Sequence, residues 1–182
     1  GAWAPLVAAA RGVPAVALCS TVGTVAQIAS ATADFRQHFY GLQGHVAEAA
    51  TSTAPRRPAA ATRAAPRRQA AAAGIPSAAG MAPVATVGAV DAAHLAWGER
   101  PVRLHGTRYL RPVVRVRALR AADPAMGRWS AARLVPKVLL ATQTRALEAW
   151  VDERGQVLPC TPLISVVPQK QGDVWRVAAV LL

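Results

Sequence analysis

A stretch rich in alanine, proline and arginine, residues 49–82, most constrains how this chain can fold. It contains no acidic residue, and four of its residues are proline, which interrupts any continuous helix. Such a composition predicts a disordered basic linker or insertion. It divides the chain into residues 1–48 and residues 83–182, and the second part is long enough to be the main domain. Two interpretations of the insertion stay open: a solvated segment without a role, or an arm that follows a phosphate backbone.

The pattern of residues 83–182 predicts an α+β fold, mostly β, with a few short helices. Apolar or alternating runs bounded by proline, glycine or charged residues indicate strands at 83–90, 111–117, 137–141, 147–151, 163–167 and 174–181. Asp123 and Pro124 suit an N-cap followed by the first helical position, and predict a helix to about Leu134. The Asp-Glu-Arg-Gly sequence at 152–155 predicts the turn of a hairpin.

The charge balance points to a polyanionic partner. The chain carries 21 Lys and Arg residues against 9 Asp and Glu, a formal net charge of +12, and such an excess is most typical of nucleic-acid binding. Hydrophobic residues make up 53% of the 182 residues, which is enough for a folded core. No uninterrupted apolar run reaches the length of a membrane span, and no signal-peptide pattern opens the sequence. We therefore expect a cytoplasmic location and no membrane partner.

The sequence gives little support for catalysis within this chain. It contains no Asn and no Gly-x-Gly triplet, which excludes a dinucleotide fingerprint, a P-loop and an Asn-Pro-Pro-aromatic catalytic loop. Cys19 and Cys160 stand alone, and the four histidines lack metal-ligand spacing, so neither a disulfide framework nor a metal site is predicted. A stand-alone hydrolase would need a titratable cluster, and none shows. We expect no catalytic, cofactor-binding or metal-binding residues here.

Nucleic-acid binding has more support, because residues 100–120 hold seven arginines and no acid. A guanidinium grips a phosphate bidentately and can read guanine in the major groove. Arginine and valine alternate over 111–117, which predicts a half-buried strand with its arginines on the solvent side. A solvated strand face without a ligand is the alternative. The candidate DNA contacts of this stretch are Arg100, Arg103, Arg111, Arg115 and Arg117, and Arg108 and Arg120 belong to the same run.

A second set of candidates belongs to the buried strand predicted at 137–141. Lys137 begins that strand, and Thr142, Gln143 and Arg145 follow its end. Gln can bond adenine, Arg can bond guanine, and Thr can touch a thymine methyl. A strand end holds such side chains more firmly than a free loop does. The alternative is that these are ordinary turn residues.

Several segments of the chain occur in the same order as similar segments in a known protein family. They are WGERPVR from residue 97, YLRPVV from 109, RLVPKVLLATQTR from 133, VDE from 151 and PLISV from 162. In this order they resemble the C-terminal target-recognition region of bacterial class I SAM-dependent N6-adenine DNA methyltransferases, of the actinobacterial type. DFR from residue 34 and FYGL from 39 are similar to the segment that precedes that region.

The resemblance implies a Rossmann-type catalytic domain, absent from this chain, that would bind S-adenosylmethionine and methylate an adenine flipped out of double-stranded DNA. This chain alone would not be catalytic: it would grip DNA and select the site for a restriction-modification or phage-defence system. Residues 1–48 would hold the linker from the missing catalytic domain and the start of the recognition region. The alternative is a sequence-indifferent basic nucleic-acid-binding protein. The positions that match the family's motif are Lys137, Thr142, Gln143 and Arg145.

Overall fold

The computed structural model describes residues 23–34, 36–50, 80–143 and 147–181. Short strands dominate these ranges and are joined by four short α-helices and three single-turn 3-10 helices (Val25–Gln27, Val87–Ala89 and Gln171–Asp173). The predicted α+β, mostly β fold is confirmed. The insertion predicted at 49–82 lies almost entirely outside the described residues.

Four antiparallel strands form the first sheet: β1 (Ala29–Ala33), β9 (Lys137–Ala141), β10 (Glu148–Asp152) and β12 (Ile164–Pro168). Their spatial order is β1-β12-β9-β10, and Val138 of β9 lies opposite both Val166 and Val151. Every residue of β9 is buried. A strand covered on both faces needs apolar side chains on both, which explains its continuous apolar run. The strand predicted at 137–141 is confirmed.

One face of the first sheet is covered by α4, which spans Val174–Leu181. Val174, Val177 and Ala178 are buried there together with Val138 of β9. Their spacing of three and four residues places them on one side of a helix. The strand predicted at 174–181 is therefore wrong, because a short apolar run does not by itself distinguish a strand from a helix that buries one side.

The second sheet consists of β2 (Val46–Glu48), β3 (Met81–Ala85), β8 (Pro112–Arg115) and β11 (Leu158–Pro159), in the order β11-β3-β8-β2. β11 runs parallel to β3, and the other pairs are antiparallel. The helices α1 (Arg36–Gly41), α2 (Val116–Ala122) and α3 (Pro124–Arg133) lie beside this sheet. Val84, Val114, Leu119 and Trp129 fill the core between them.

A third apolar cluster joins the two sheets. The side chains of Leu139 and Trp150 project from the face of the first sheet opposite α4. They pack with Ala85 of β3 and with Leu163. Lys137 lies two residues before Leu139 on β9, so its side chain points to the same face of the first sheet. The face of the first sheet opposite α4 is thus covered by the end of β3 and by apolar residues of the segment that follows it, among them Ala89, Val90 and Leu95.

Residues 152–155 do not close a hairpin as predicted. The next strand, β11, leaves the first sheet and pairs in parallel with β3, where Leu158 lies opposite Val84. Gly155 makes the sharp turn with a φ of 63°, and a Cβ on it would clash with the backbone carbonyl carbon of Val135. The glycine therefore serves a crossing between the sheets rather than a hairpin.

The alternating segment 111–117 divides into two elements. Strand β8 ends at Arg115, and α2 begins with the next residue, so the strand predicted through Arg117 is wrong at its end. Pro112, Val113 and Val114 are all buried, because both faces of β8 are covered. Only the terminal arginine of the strand reaches solvent.

The helix predicted from the Asp123-Pro124 pair is confirmed as α3. Asp123 Oδ1 accepts hydrogen bonds from the backbone N–H groups of Ala125 and Met126, at 2.8 and 3.1 Å. This cap satisfies two amides that the first helical turn leaves without intrahelical partners.

Two small hairpins complete the fold: β4 (Val90–Asp91) with β5 (His94–Leu95), and β6 (Val102–Leu104) with β7 (Thr107–Tyr109). The strand predicted at 83–90 is accordingly broken into β3, the 3-10 turn and β4. β1 and β2 come from the part of the chain before the insertion, and each extends one of the two sheets. Residues 29–48 therefore belong to the same fold as residues 81–181.

Candidate nucleic-acid interface

The β6–β7 hairpin, residues 102–109, is called the ribbon below. Leu104 is 1% exposed, and Val102 and Tyr109 pack against the core of the second sheet. Arg103 and Arg108 lie directly opposite each other across the two strands, and both are exposed. Since successive strand residues point to opposite faces, the ribbon buries its apolar side and presents its arginines to solvent.

The tip of the ribbon is also held in place. His105 and Gly106 form a two-residue turn with φ values of 49° and 82°, as a turn with two left-handed residues requires. The His105 ring centroid lies 4.2 Å from that of Phe39 on α1. The ribbon is therefore fixed at its tip as well as along its length.

The arginine after the ribbon is positioned by Glu48. The Glu48 carboxylate accepts hydrogen bonds from the backbone N–H groups of Leu110 and Arg111, at 2.9 and 2.7 Å. Glu48 is thus occupied by backbone rather than by a cation. Arg111 Nε is buried without a hydrogen-bond partner among the described residues, and its stem lies against Gly98.

Three further arginines lie where β8 passes into α2. Arg115 ends the strand, and Arg117 and Arg120 are exposed on the helix, three residues apart and hence neighbours on its surface. The stem of Arg117 lies beside Gly80, and that of Arg120 lies on Gly127 of α3. The guanidinium groups are left at the surface of this corner.

The arginines of the ribbon, of the residue after it and of the β8–α2 corner are called the arginine surface below: Arg103, Arg108, Arg111, Arg115, Arg117 and Arg120. None of them has an ion-pair partner among the described residues. The carboxylates that could neutralise them are used elsewhere, since Glu48 binds backbone amides and Asp123 caps α3. The surface therefore retains its positive charge.

Arg100, a further candidate, is engaged within the protein. Its guanidinium donates to Asp91 Oδ2. This hydrogen bond raises the pKa of Arg100, and the charges of Glu148 and Glu99 act in the same direction. Arg100 therefore has an acidic partner within the protein, unlike the residues of the arginine surface.

Lys137 is withdrawn from solvent altogether. Its ammonium donates to Asp152 Oδ2 at 2.6 Å and approaches the carbonyl oxygen of Val135 at 3.4 Å. Burial lowers the pKa of Lys137, while the charge of Asp152 opposes that shift. This side chain does not fit the predicted role of a DNA contact, because it has no exposed surface in this fold.

Thr142 and Gln143 are exposed directly after the end of β9. The pairing of Ala141 with Glu148 closes the hairpin below them, so they begin the loop between β9 and β10. The backbone N–H of Ala93 donates to the carbonyl oxygen of Ala149 at 2.8 Å, which places this end of the first sheet beside the hairpin that carries Asp91. Arg145, the last predicted contact, lies outside the described residues.

A buried polar network connects the α1 and α3 region with the start of β12. Asp34 Oδ1 accepts hydrogen bonds from Trp129 Nε1 at 2.9 Å and from Arg133 Nε at 3.0 Å. The Asp34 carbonyl accepts from Thr161 Oγ1 at 3.0 Å. The sequence gives no signal for this network, since the partners of Asp34 lie 95 to 127 positions away from it.

His38 and Cys160, which lie beside this network, do not form a reactive site. His38 stacks on Trp129 with ring centroids 5.1 Å apart. Burial, with a contribution from Asp34, raises the pKa of the Cys160 thiol to about 12, so the thiol stays protonated and is a poor nucleophile. We assign the network to structure.

Comparison with protein-family models, curated proteins and solved structures finds no match to this chain. Within the described ranges, no helix is long and apolar enough to cross a membrane. The same ranges contain no group of three His, Cys, Asp or Glu side chains arranged to hold a metal ion.

Proposed function

We propose that this chain is a DNA-binding module that selects the target site of a SAM-dependent N6-adenine DNA methyltransferase. The observation that carries the DNA-binding part is the arginine surface, whose six guanidinium groups have no carboxylate partner among the described residues. Duplex DNA supplies closely spaced phosphates that compensate such a surface. The methyltransferase part comes from the order of segments in the sequence.

In this proposal a separate partner domain carries out the methyl transfer and binds S-adenosylmethionine. The parent enzyme would act in the cytoplasm, within a restriction-modification or phage-defence system. The chain itself contributes grip and site selection without chemistry. This fits its composition, since it lacks the Asn and glycine motifs of such a catalytic domain.

The two tasks would fall to different residues. The arginine surface would hold phosphates, which position a protein on DNA without reading its sequence. Thr142 and Gln143 would carry site preference, because they extend from β9, a fully buried strand of the first sheet. Side chains on so rigid a support reach base edges with a defined geometry.

The experiment that tests the proposal is a fluorescence-anisotropy titration with a library of random DNA duplexes, at 50 and 200 mM salt, followed by sequencing of the bound fraction. We expect binding that weakens steeply with salt and an enriched motif that persists at the higher concentration. Binding without enrichment would support the alternative, a sequence-indifferent basic protein. No binding at either concentration would refute both.

Charge-matched variants separate the arginine surface from net charge. Arg115→Gln/Arg117→Gln removes two charges from the surface, and Arg154→Gln/Arg176→Gln removes two exposed charges elsewhere. We expect the first pair to weaken duplex binding more than the second. Equal losses would mean that binding depends on overall charge and not on this surface.

A further inference from the structure

We infer that Arg103 and Arg108 together hold a single backbone phosphate of duplex DNA, which makes the ribbon a fixed phosphate clamp. The inference rests on the proposed function and goes further, since it assigns one ligand group to one pair of residues. Its starting point is the register of the ribbon, which sets these two arginines directly opposite each other.

The first argument is electrostatic. Residues directly opposite in an antiparallel pair have their Cβ atoms about 4.5–5.5 Å apart, and like charges in that position destabilise the pair. No carboxylate of the described residues forms an ion pair with either arginine. The ribbon therefore holds two repelling cations together at its surface, and an anion bound between them removes the repulsion.

The second argument is geometric. In a hairpin with a two-residue turn, the pair next to the turn, Leu104 and Thr107, is hydrogen-bonded, and the following pair is not. Arg103 and Arg108 occupy that second pair, in which side chains approach most closely. Two forked guanidinium groups side by side offer donors to more than one oxygen of a single phosphate.

The third argument is rigidity. Leu104, on the inner face of the ribbon, is buried, and His105 at the tip contacts Phe39. The backbone that carries the two arginines is therefore set before a ligand arrives. Binding then requires ordering of two side chains only, which lowers its entropic cost.

The test measures the dependence of log Kd on log salt for the full chain with a 30-base-pair DNA duplex. Each phosphate that the protein neutralises contributes about 0.9 to that slope. If both arginines share one phosphate, Arg103→Gln or Arg108→Gln alone weakens binding but leaves the slope nearly unchanged, because the remaining arginine still neutralises the phosphate. The double variant then lowers the slope by about 0.9. Arg103→Lys, which retains the charge, keeps the slope.

Other outcomes overturn the inference. A slope that falls by about 0.9 in each single variant and about 1.8 in the double variant means two separate phosphates. If Arg103→Gln/Arg108→Gln weakens binding and changes the salt slope no more than Arg154→Gln/Arg176→Gln does, the ribbon does not touch DNA. The proposed function then survives through the remaining arginines. If the Arg103 and Arg108 variants weaken binding to an RNA duplex more than binding to a DNA duplex, the clamp is assigned to RNA. A wild-type chain that binds no duplex refutes the proposed function together with the clamp.

Discussion

The ammonium of Lys137 lies 2.6 Å from Asp152 Oδ2, and both side chains are excluded from solvent. The same carboxylate accepts hydrogen bonds from the backbone N–H groups of Gln156 and Val157, at 3.0 and 2.9 Å. The ion pair thus joins the start of β9 to the end of β10 and to the chain that crosses into the second sheet. A residue that the sequence suggests as a DNA contact is instead one half of a buried ion pair within the first sheet.

We predict that Asp152→Ala lowers the free energy of unfolding by about 3–5 kcal/mol, because it leaves a buried ammonium without a counter-charge. Lys137→Met should cost less, since the Asp152 carboxylate keeps its two backbone donors. Urea denaturation measures both. Glu153→Ala, at the exposed neighbouring position, is the control and should be close to neutral. A small cost for Asp152→Ala would contradict the role of the pair.

The Asp34 network gives a second prediction. Trp129→Phe keeps most of the buried ring but removes the donor to Asp34, so we expect a loss of about 1–3 kcal/mol in unfolding free energy. Trp175→Phe is the matched control, because Trp175 is 44% exposed and its replacement should change stability little. Urea denaturation followed by circular dichroism avoids the change in tryptophan fluorescence. Similar costs for the two substitutions would argue against a stabilising hydrogen bond.

A third prediction concerns pH. Burial lowers the pKa of both His38 and His105 below 6.5, although the charge of Asp34 partly opposes the shift at His38. As pH falls through 6.5, the unfolded chain binds protons at these rings before the folded chain does. Their contribution to stability is therefore complete above 6.5 and is lost as pH falls toward the folded pKa values.

Urea midpoints between pH 7.5 and 5.5 check this expectation. The wild type should lose stability across the interval, and the His38→Gln/His105→Gln variant should lose less, whatever its absolute stability. Gln37→Ala, at an exposed position of α1 that carries no titratable group, serves as the control and should follow the wild type. A double variant with an unchanged pH dependence would exclude these two rings as its source.

Features set by neighbouring residues were predictable from the sequence. The cap of Asp123 depends on the two amides that follow it, and the apolar run at 137–141 is long enough to mark a buried strand. The apolar run at 174–181 was not decisive, because its helical spacing matters only once a sheet covers one side. Strand pairing was likewise hidden, since nothing local in the sequence directs β11 to β3.

The candidate site also has features that the sequence predicts and features that it does not. The density of arginines over 100–120 is visible in the sequence, but the partners of individual residues are not. Arg100 forms an ion pair with Asp91, nine positions away. Lys137 forms one with Asp152, fifteen positions away. The importance of Arg108 follows from its place opposite Arg103, which depends on the two-residue turn of the ribbon. Charge is thus predictable from composition, whereas its availability is decided by tertiary pairing.

The last prediction separates site preference from total binding. Gln143→Ala should reduce the enrichment of a preferred motif while total duplex affinity stays within about twofold, because an uncharged side chain neutralises no phosphate. Arg115→Gln/Arg117→Gln should weaken all duplexes alike and lower the salt slope by up to about 1.8. Sequencing of the bound library together with anisotropy on single duplexes measures both quantities. If both variants change preference and affinity in the same proportion, the loop after β9 and the arginine surface do not have separate tasks.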